Sequence, residues 1–130
     1  MIVVDTNVIA YLLLAGDRSA AADRLWQADR DWVAPRLWLD EFLNVLATSE
    51  RHGRLESRLA AGLLDDAIDL MLDGTFEVRP ERVLAVARRT GCSGYDSQYI
   101  ALAEDLGVAL YTWDRQILDR CPTLAVAPAS

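Results

Sequence analysis

Acidic side chains follow two of the segments that the sequence predicts as buried strands. Asp5 ends the apolar run MIVVD, and Asp114 follows the run VALYT after one intervening residue. Parallel strands end at one edge of a sheet, where open α/β proteins form their sites, so we expect both carboxylates there. Clustered carboxylates repel one another unless a cation joins them. Oxygen ligands without a neighbouring His or Cys suit Mg²⁺ or Mn²⁺ better than zinc.

A third acid belongs to a predicted helix that begins at residue 93 or 94 and ends at residue 106. At about 100° per residue, the apolar arc of this helix contains Tyr95 and Tyr99, and Asp96 falls inside the arc whereas Ser97 falls outside it. An inward-facing carboxylate needs a partner or a cation. The alternative is that Asp96 only caps the first turn of the helix.

The fourth acid comes from a predicted helix over residues 36–51, which contains the pair Asp40–Glu41. Asp40 lies within the polar arc and is predicted to be solvated. Glu41 lies at the border of the apolar arc, one turn before Asn44, and is predicted to face inward. The alternative for Glu41 is an ordinary surface glutamate.

Strand-like and helix-like segments alternate along the chain, which favours a parallel sheet covered by helices on both faces. With 130 residues, 52% of them hydrophobic, residues 1–130 are expected to form one domain with a substantial core. Asp17 is expected to cap the second helix. The predicted strands cover residues 1–5, 32–35, 75–80, 108–112 and 124–126, and the predicted helices cover residues 6–14, 17–28, 36–51, 56–72, 80–90, 94–106 and 114–120.

The charge of the chain excludes several classes of protein. The net charge is −7, so non-specific attraction to phosphate is not expected to drive binding. All 13 basic residues are arginine. Phosphatases of the haloacid dehalogenase type, response-regulator receivers and P-loop enzymes need a lysine, so the sequence argues against all three.

Three segments resemble the PIN-domain ribonucleases, in particular the VapC-type toxins of bacterial toxin–antitoxin pairs. They are MIVVDTNVIAYLL, PRLWLDEFLNVL and YDSQYIALAEDLGVALYTWDRQIL, in the order and spacing of that family. The resemblance implies an α/β/α sandwich on a central parallel sheet. It also implies an endoribonuclease that depends on Mg²⁺ or Mn²⁺, is dimeric, and is inhibited by a small antitoxin.

Site roles can be assigned on this resemblance. Asp5 and Asp96 are expected to be metal ligands, Asp114 a ligand directly or through water, and Glu41 the group that orients or deprotonates the attacking water or binds a second ion. A second set of residues is expected to support the acids or the substrate. Thr6, Asn7 and Thr112 would hydrogen-bond the carboxylates or metal-bound waters, Trp113 would stack on a base, and Arg115 would contact a phosphate. The alternatives are that Thr6 or Asn7 caps the first helix and that Arg115 is a solvated surface residue.

The expected partners are an RNA substrate, a cognate antitoxin and a second copy of the chain. An apolar patch for the antitoxin is predicted on Leu12, Leu13, Leu14, Trp26 and Trp38. No apolar stretch is long enough to span a membrane and no basic leader is present, which predicts a cytoplasmic protein. The alternative function is a catalytically inactive PIN-like module that binds RNA or protein.

Overall fold

The sheet at the centre of the protein has five strands, and every pair of neighbouring strands is parallel. The computed structural model describes residues 1–130. The strands are β1 Ile2–Val4, β2 Trp32–Pro35, β3 Thr75–Phe76, β4 Leu110–Tyr111 and β5 Ala125–Val126. Their order across the sheet is β3-β2-β1-β4-β5, so the direction of strand progression reverses at β1. Such a reversal opens a crevice at the carboxyl ends of the strands, here between β1 and β4.

Seven helices surround the sheet. They are α1 Thr6–Leu13, α2 Ser19–Ala28, α3 Leu37–Arg51, α4 Ser57–Met71, α5 Pro80–Thr90, α6 Gly94–Leu106 and α7 Arg115–Arg120. α6 packs on β1, β2 and β4 and is covered by α5, whereas α1, α3 and α4 pack on one another and α4 also contacts β2. The predicted α/β/α sandwich is therefore confirmed. No helix is both long and apolar enough to cross a bilayer.

The strands are shorter than the sequence suggests. The segment predicted as a strand over residues 75–80 pairs only at Thr75 and Phe76, and the one predicted over residues 108–112 pairs only at Leu110 and Tyr111. Pro80 already begins α5, so the segment after Phe76 runs into a helix and not along the sheet.

The prediction that Asp17 caps the second helix is wrong. α2 begins two residues later, at Ser19, and Arg18 at the cap position makes no side-chain capping bond. The Ser19 hydroxyl instead closes the preceding turn, because it accepts from the amide of Gly16 at 2.9 Å and donates to the carbonyl of Leu14 at 2.9 Å.

The predicted apolar arc of α6 is also wrong in two places. Tyr95 was placed inside the arc but is 66% exposed, and Ser97 was placed outside it but is fully buried. Every residue from Tyr99 to Ala103 is buried as well. A helix that is covered on nearly all sides has no single apolar face, so its phase cannot be read from one arc.

The predicted apolar patch is corrected by the burial of one of its two tryptophans. Trp38 is a core residue, 3% exposed, and its indole nitrogen donates to the Thr75 hydroxyl at 2.8 Å. Trp26 is half-buried and packs edge-on against Trp32, with the ring centroids 5.2 Å apart. Leu12, Leu13 and Leu14 are half-buried against the core.

Candidate active site

Asp5 lies directly beyond β1, at the crevice where the sheet changes direction. Its amide donates to the carbonyl of Tyr111 in β4 at 3.0 Å, which fixes the backbone between the two strands. One carboxylate oxygen accepts from the amide of Thr6 at 2.7 Å and so caps α1. The alternative that Thr6 or Asn7 caps this helix is therefore wrong, because the acid itself is the cap.

Thr112 holds the other carboxylate oxygen of Asp5. It is fully buried just beyond β4, and its hydroxyl donates to Asp5 Oδ2 at 2.8 Å. The same hydroxyl accepts from the amide of Asp114 at 2.9 Å. One threonine thus connects the acids that follow β1 and β4.

Glu41 is held by a different pair of hydroxyls. Thr6 Oγ1 donates to Glu41 Oε1 at 2.9 Å, and the Tyr99 hydroxyl donates to the same oxygen at 2.6 Å. Among the carboxylates that Thr6 is predicted to hydrogen-bond, its side chain therefore orients Glu41 and not Asp5. Asn7 is exposed and makes no side-chain hydrogen bond within the protein.

Asp96 and Asp114 lie at the starts of the two helices nearest the crevice. Asp96 is half-buried in the first turn of α6, and its backbone amide donates to the Ser93 hydroxyl that caps the helix. Asp114 is exposed and caps α7, because its carboxylate accepts from the amide of Ile117 at 3.0 Å. Neither acid accepts from a buried hydroxyl as Asp5 and Glu41 do, although the exposed Ser93 hydroxyl lowers the pKa of Asp96.

The pKa directions show that these acids share one electrostatic environment. Burial, together with the charges of Glu41 and Asp96, raises the pKa of Asp5 to about 6, although the bonds from Thr112 and Thr6 oppose the rise. Burial and the charges of Asp114 and Glu41 raise the pKa of Asp96. Burial, then the charge of Glu41, raises the pKa of Tyr99 well above its usual value, so its hydroxyl remains a donor.

The carboxylate oxygens at this site suit a hard divalent cation that is bound partly through water. No three acidic, histidine or cysteine side chains converge closely enough in this arrangement to hold an ion by themselves. Mg²⁺ usually takes one or two carboxylates and keeps several waters, so it does not need such a protein cage. The fixed and ionisable oxygens of Asp5, beside the carboxylate of Asp96, meet that requirement.

An open cleft of about 550 Å³ gives access to this edge of the sheet. Its wall includes both hydrogen-bonded acids, Asp5 and Glu41, and the exposed side chain of Tyr95. The remaining lining residues are Thr6, Asn7, Leu37, Asp40, Asn44 and Val45. Asp40 is exposed at the cleft, in agreement with its predicted solvation.

The two residues proposed for substrate contact are placed differently from the acids. Trp113 is half-buried, with its edge against Tyr11 and the guanidinium of Arg18 5.0 Å from its ring centroid. Its aromatic surface is therefore already engaged within the protein. Arg115 is exposed at the start of α7 and has no salt-bridge partner.

Sequence reasoning missed two tyrosines at the site. Tyr99 was assigned only to the apolar arc, although its hydroxyl reaches Glu41. Tyr95 was assigned to the same arc, although it lines the cleft. The available signal was the phenol group itself, because a buried tyrosine hydroxyl normally requires a hydrogen-bond partner.

A parallel sheet with Asp5 and Glu41 at a cleft beside its switch point defines an α/β protein with an acidic site. The sequence model of the PIN domain matches residues 2–122, and the chain belongs to the PIN domain family. It is similar to Ribonuclease VapC3 of Pyrobaculum aerophilum, with 32% identity over 127 residues, 95% of this chain and 96% of the relative.

Solved structures agree on the fold. The crystal structure of PAE2754 from Pyrobaculum aerophilum superposes with a TM-score of 0.77 at 26% identity, covering 97% of this chain and 89% of that chain. A toxin–antitoxin complex from Klebsiella pneumoniae contains a chain with a TM-score of 0.68 at 17% identity, covering 100% of this chain and 99% of that one.

Proposed function

We propose that this protein is a metal-dependent endoribonuclease that hydrolyses RNA phosphodiester bonds. One observation carries the proposal: Asp5 at the end of β1 and Glu41 from α3 line the same open cleft, and each is fixed by buried hydroxyls. Carboxylates held in this way are suited to bind a cation and to orient water. The 32% identity to a protein named as a ribonuclease supports RNA as the substrate.

Asp5 and Asp96 are the residues that would hold Mg²⁺, or Mn²⁺ in its place, and Asp114 would assist directly or through a water. When bound, the ion supplies a water of lowered pKa and neutralises charge on the phosphate. Thr112 holds Asp5 in the required orientation. Glu41, which lines the same cleft, orients the attacking water and accepts its proton.

Single-stranded RNA also requires contacts beyond the acids. Tyr95 is exposed in the cleft beside Asp96 and presents a ring on which a base can stack. Trp113 is a poorer candidate because Tyr11 and Arg18 already pack on it. Arg115, exposed beside Asp114, is available to contact a phosphate.

Regulation by a cognate antitoxin and assembly as a homodimer are part of the same proposal. The relative named as a VapC ribonuclease and the fold shared with a toxin–antitoxin complex support an antitoxin partner. The chain would act as one domain in the cytoplasm, where its RNA substrate is found. Exposed leucine and isoleucine side chains on α4 offer an apolar surface for such contacts.

Cleavage of RNA by the purified protein tests the activity. We expect total RNA to be cut at specific sites when Mg²⁺ is present, and not when EDTA is present or when Asp5 is replaced by Asn. Mapping the cut sites would identify the sequence preference. Specific RNA binding without cleavage at any Mg²⁺ or Mn²⁺ concentration would favour the inactive PIN-like module instead.

Titration with the product of an adjacent small reading frame tests the regulation. We expect a stable complex and loss of cleavage at one equivalent of that protein. If no such product binds, or if it binds without inhibition, the protein is a nuclease outside a toxin–antitoxin pair.

A further inference from the structure

Three oxygen atoms from separate parts of the chain meet beneath the cleft. Thr6 Oγ1 lies 2.9 Å from Glu41 Oε1, the Tyr99 hydroxyl lies 2.6 Å from the same oxygen, and the two hydroxyls are 2.5 Å apart. Thr6 is 4% exposed and Tyr99 is 1% exposed. Bulk water therefore does not compete for these bonds.

The bonds to Glu41 all fall on one carboxylate oxygen. Oε1 accepts from both hydroxyls, whereas Oε2 has no hydrogen-bond donor within the protein. Glu41 also lines the open cleft. A carboxylate held by one oxygen keeps a single orientation and leaves its second oxygen free to accept a bond from a molecule in the cleft.

The three residues also connect the elements that contribute the acids. Thr6 directly follows Asp5 at the start of α1, and Tyr99 lies one turn after Asp96 in α6. Glu41 belongs to α3. A polar contact in an otherwise apolar core therefore fixes the relative positions of three acid-bearing helices. Buried hydroxyls are costly unless they are paired, and each of these donates its single proton to Glu41 Oε1.

We propose that Tyr99, together with Thr6, is a positioning residue of the nuclease, which holds Glu41 Oε1 so that Oε2 faces the attacking water. This inference rests on the proposed function, because it assigns a purpose to the orientation of Glu41. The phenol does not touch substrate, and its effect on the reaction passes through Glu41.

Tyr99→Phe is the direct test because it removes the hydroxyl and keeps the buried ring. We expect kcat to fall about 10- to 100-fold, as is typical when a hydrogen-bond partner of a catalytic group is removed. KM and the cooperativity of thermal unfolding should change little. Tyr111→Phe is the matched control, because Tyr111 lies in β4 and its hydroxyl bonds none of the four acids.

A double-mutant cycle separates positioning from general stabilisation. If Tyr99 acts through Glu41, adding Tyr99→Phe to Glu41→Gln should lower the single-turnover rate less than twofold further. Thr6→Val should show the same non-additivity. A full 10- to 100-fold loss in the Glu41→Gln background, or an unchanged kcat in Tyr99→Phe alone, would overturn the proposal.

Crystallography of the variants gives a readout that does not depend on activity. Glu41 should occupy one side-chain conformer in the wild type and several in Tyr99→Phe. An unchanged, singly ordered Glu41 in Tyr99→Phe would overturn the positioning role. If the wild-type protein cleaves no RNA, the proposed function fails, and the order of Glu41 still decides whether Tyr99 holds it.

Discussion

The four acids form two pairs that the fold treats differently. The inner acids, Asp5 and Glu41, line the cleft and accept hydrogen bonds from buried hydroxyls. The outer acids, Asp96 and Asp114, lie at the starts of α6 and α7 and accept from no buried hydroxyl. The inner acids are thus fixed before any ligand arrives, whereas the outer acids are held mainly through their helices.

The two pairs therefore differ in what controls them: hydrogen bonds set the orientation of the inner carboxylates, and helix ends favour the negative charge of the outer ones. Buried hydroxyls determine where the oxygens of the inner acids point, but burial also raises the pKa of Asp5. The positive ends of α6 and α7 favour negative charge near the outer acids, and the Asp114 carboxylate is held only by the backbone amide of Ile117. We infer that a cation would find the inner oxygens in place and would draw the outer carboxylates toward it.

Removal of an acid from each pair should produce the largest effect. We expect Asp5→Asn and Asp96→Asn to reduce cleavage to background, because both residues are proposed to bind the cation. Both variants should remain folded, since asparagine at position 5 retains one acceptor for the Thr6 amide and the Asp96 carboxylate accepts from no backbone amide. Cleavage kinetics at saturating Mg²⁺ measure this, and a wild-type rate in either variant would remove that residue from the cation site.

Neighbouring acids on α3 test whether the hydroxyl bonds matter. Glu41→Gln should lower kcat by about 10²- to 10⁴-fold, the contribution usual for general acid–base groups. Asp40→Asn should keep most of the activity, because Asp40 is exposed and accepts no hydroxyl. Parallel rate measurements decide the ranking, and the reverse order would mean that Asp40, not Glu41, acts on the water.

Thr112→Val tests the support of Asp5 in the same way. Valine fills the same space but cannot donate to Asp5 Oδ2. We expect a 10- to 100-fold loss of activity together with weaker Mn²⁺ binding, as for other partners of metal ligands. The control is Thr123→Val at an exposed position. Unaltered Mn²⁺ affinity, measured by calorimetry, would show that Asp5 is positioned without Thr112.

A smaller effect is expected at the wall of the cleft. Tyr95→Ala should raise KM about tenfold with little change in kcat, because one stacked base contributes about 1–3 kcal/mol. Tyr95→Phe keeps the ring and should behave like the wild type. Equal KM values for the alanine and phenylalanine variants would argue against stacking at this position.

Much of this comparison was predictable from the sequence. The runs that end at Asp5 and precede Asp114 predicted two acids at one sheet edge, because parallel strands place their carboxyl ends together. The border position of Glu41 in α3 was equally informative, since α3 has one buried face. The helix bounds at Pro80 and Gly107 agree with the structure, because proline starts helices and glycine ends them.

The supporting hydroxyls were harder to predict. The side chains of Thr6 and Tyr99 meet although they are 93 residues apart in the chain, and no local pattern reports such a contact. The predicted orientation of α6 was wrong because the helix is buried on nearly all sides. Tyr95 was predicted to be buried and is exposed, and Ser97 was predicted to be exposed and is buried. Sequence pattern therefore located the acids, but only tertiary packing shows what orients them.

The pKa of Asp5 gives the last comparison between the two pairs, in protein without added metal. The folded-state pKa of about 6 exceeds the ordinary value of 3.8. The folded protein therefore binds more protons than the unfolded chain between these values, and stability falls as the pH rises through that window. The loss of unfolding free energy caused by the charge of Asp5 is absent below pH 3.8 and complete above about pH 6. It is at most about 3 kcal/mol.

Asp5→Asn removes this titratable group. Asparagine has only one side-chain oxygen, so it can accept from either the Thr6 amide or the Thr112 hydroxyl but does not offer each its own oxygen. At pH 7 without metal we expect a net gain of about 1 kcal/mol, which is a rise of a few degrees in Tm. The gain should shrink as the pH approaches 4. It should also reverse when Mn²⁺ is added, because the cation stabilises only the protein that binds it. Thermal unfolding across pH 4–7, with and without Mn²⁺, measures these differences.

Asp96→Asn should show a gain in the same direction, since burial and the charges of Asp114 and Glu41 raise the pKa of Asp96 as well. A gain for Asp5→Asn that is the same at pH 4 and pH 7 would show that burial of the Asp5 charge is not what destabilises the inner acids.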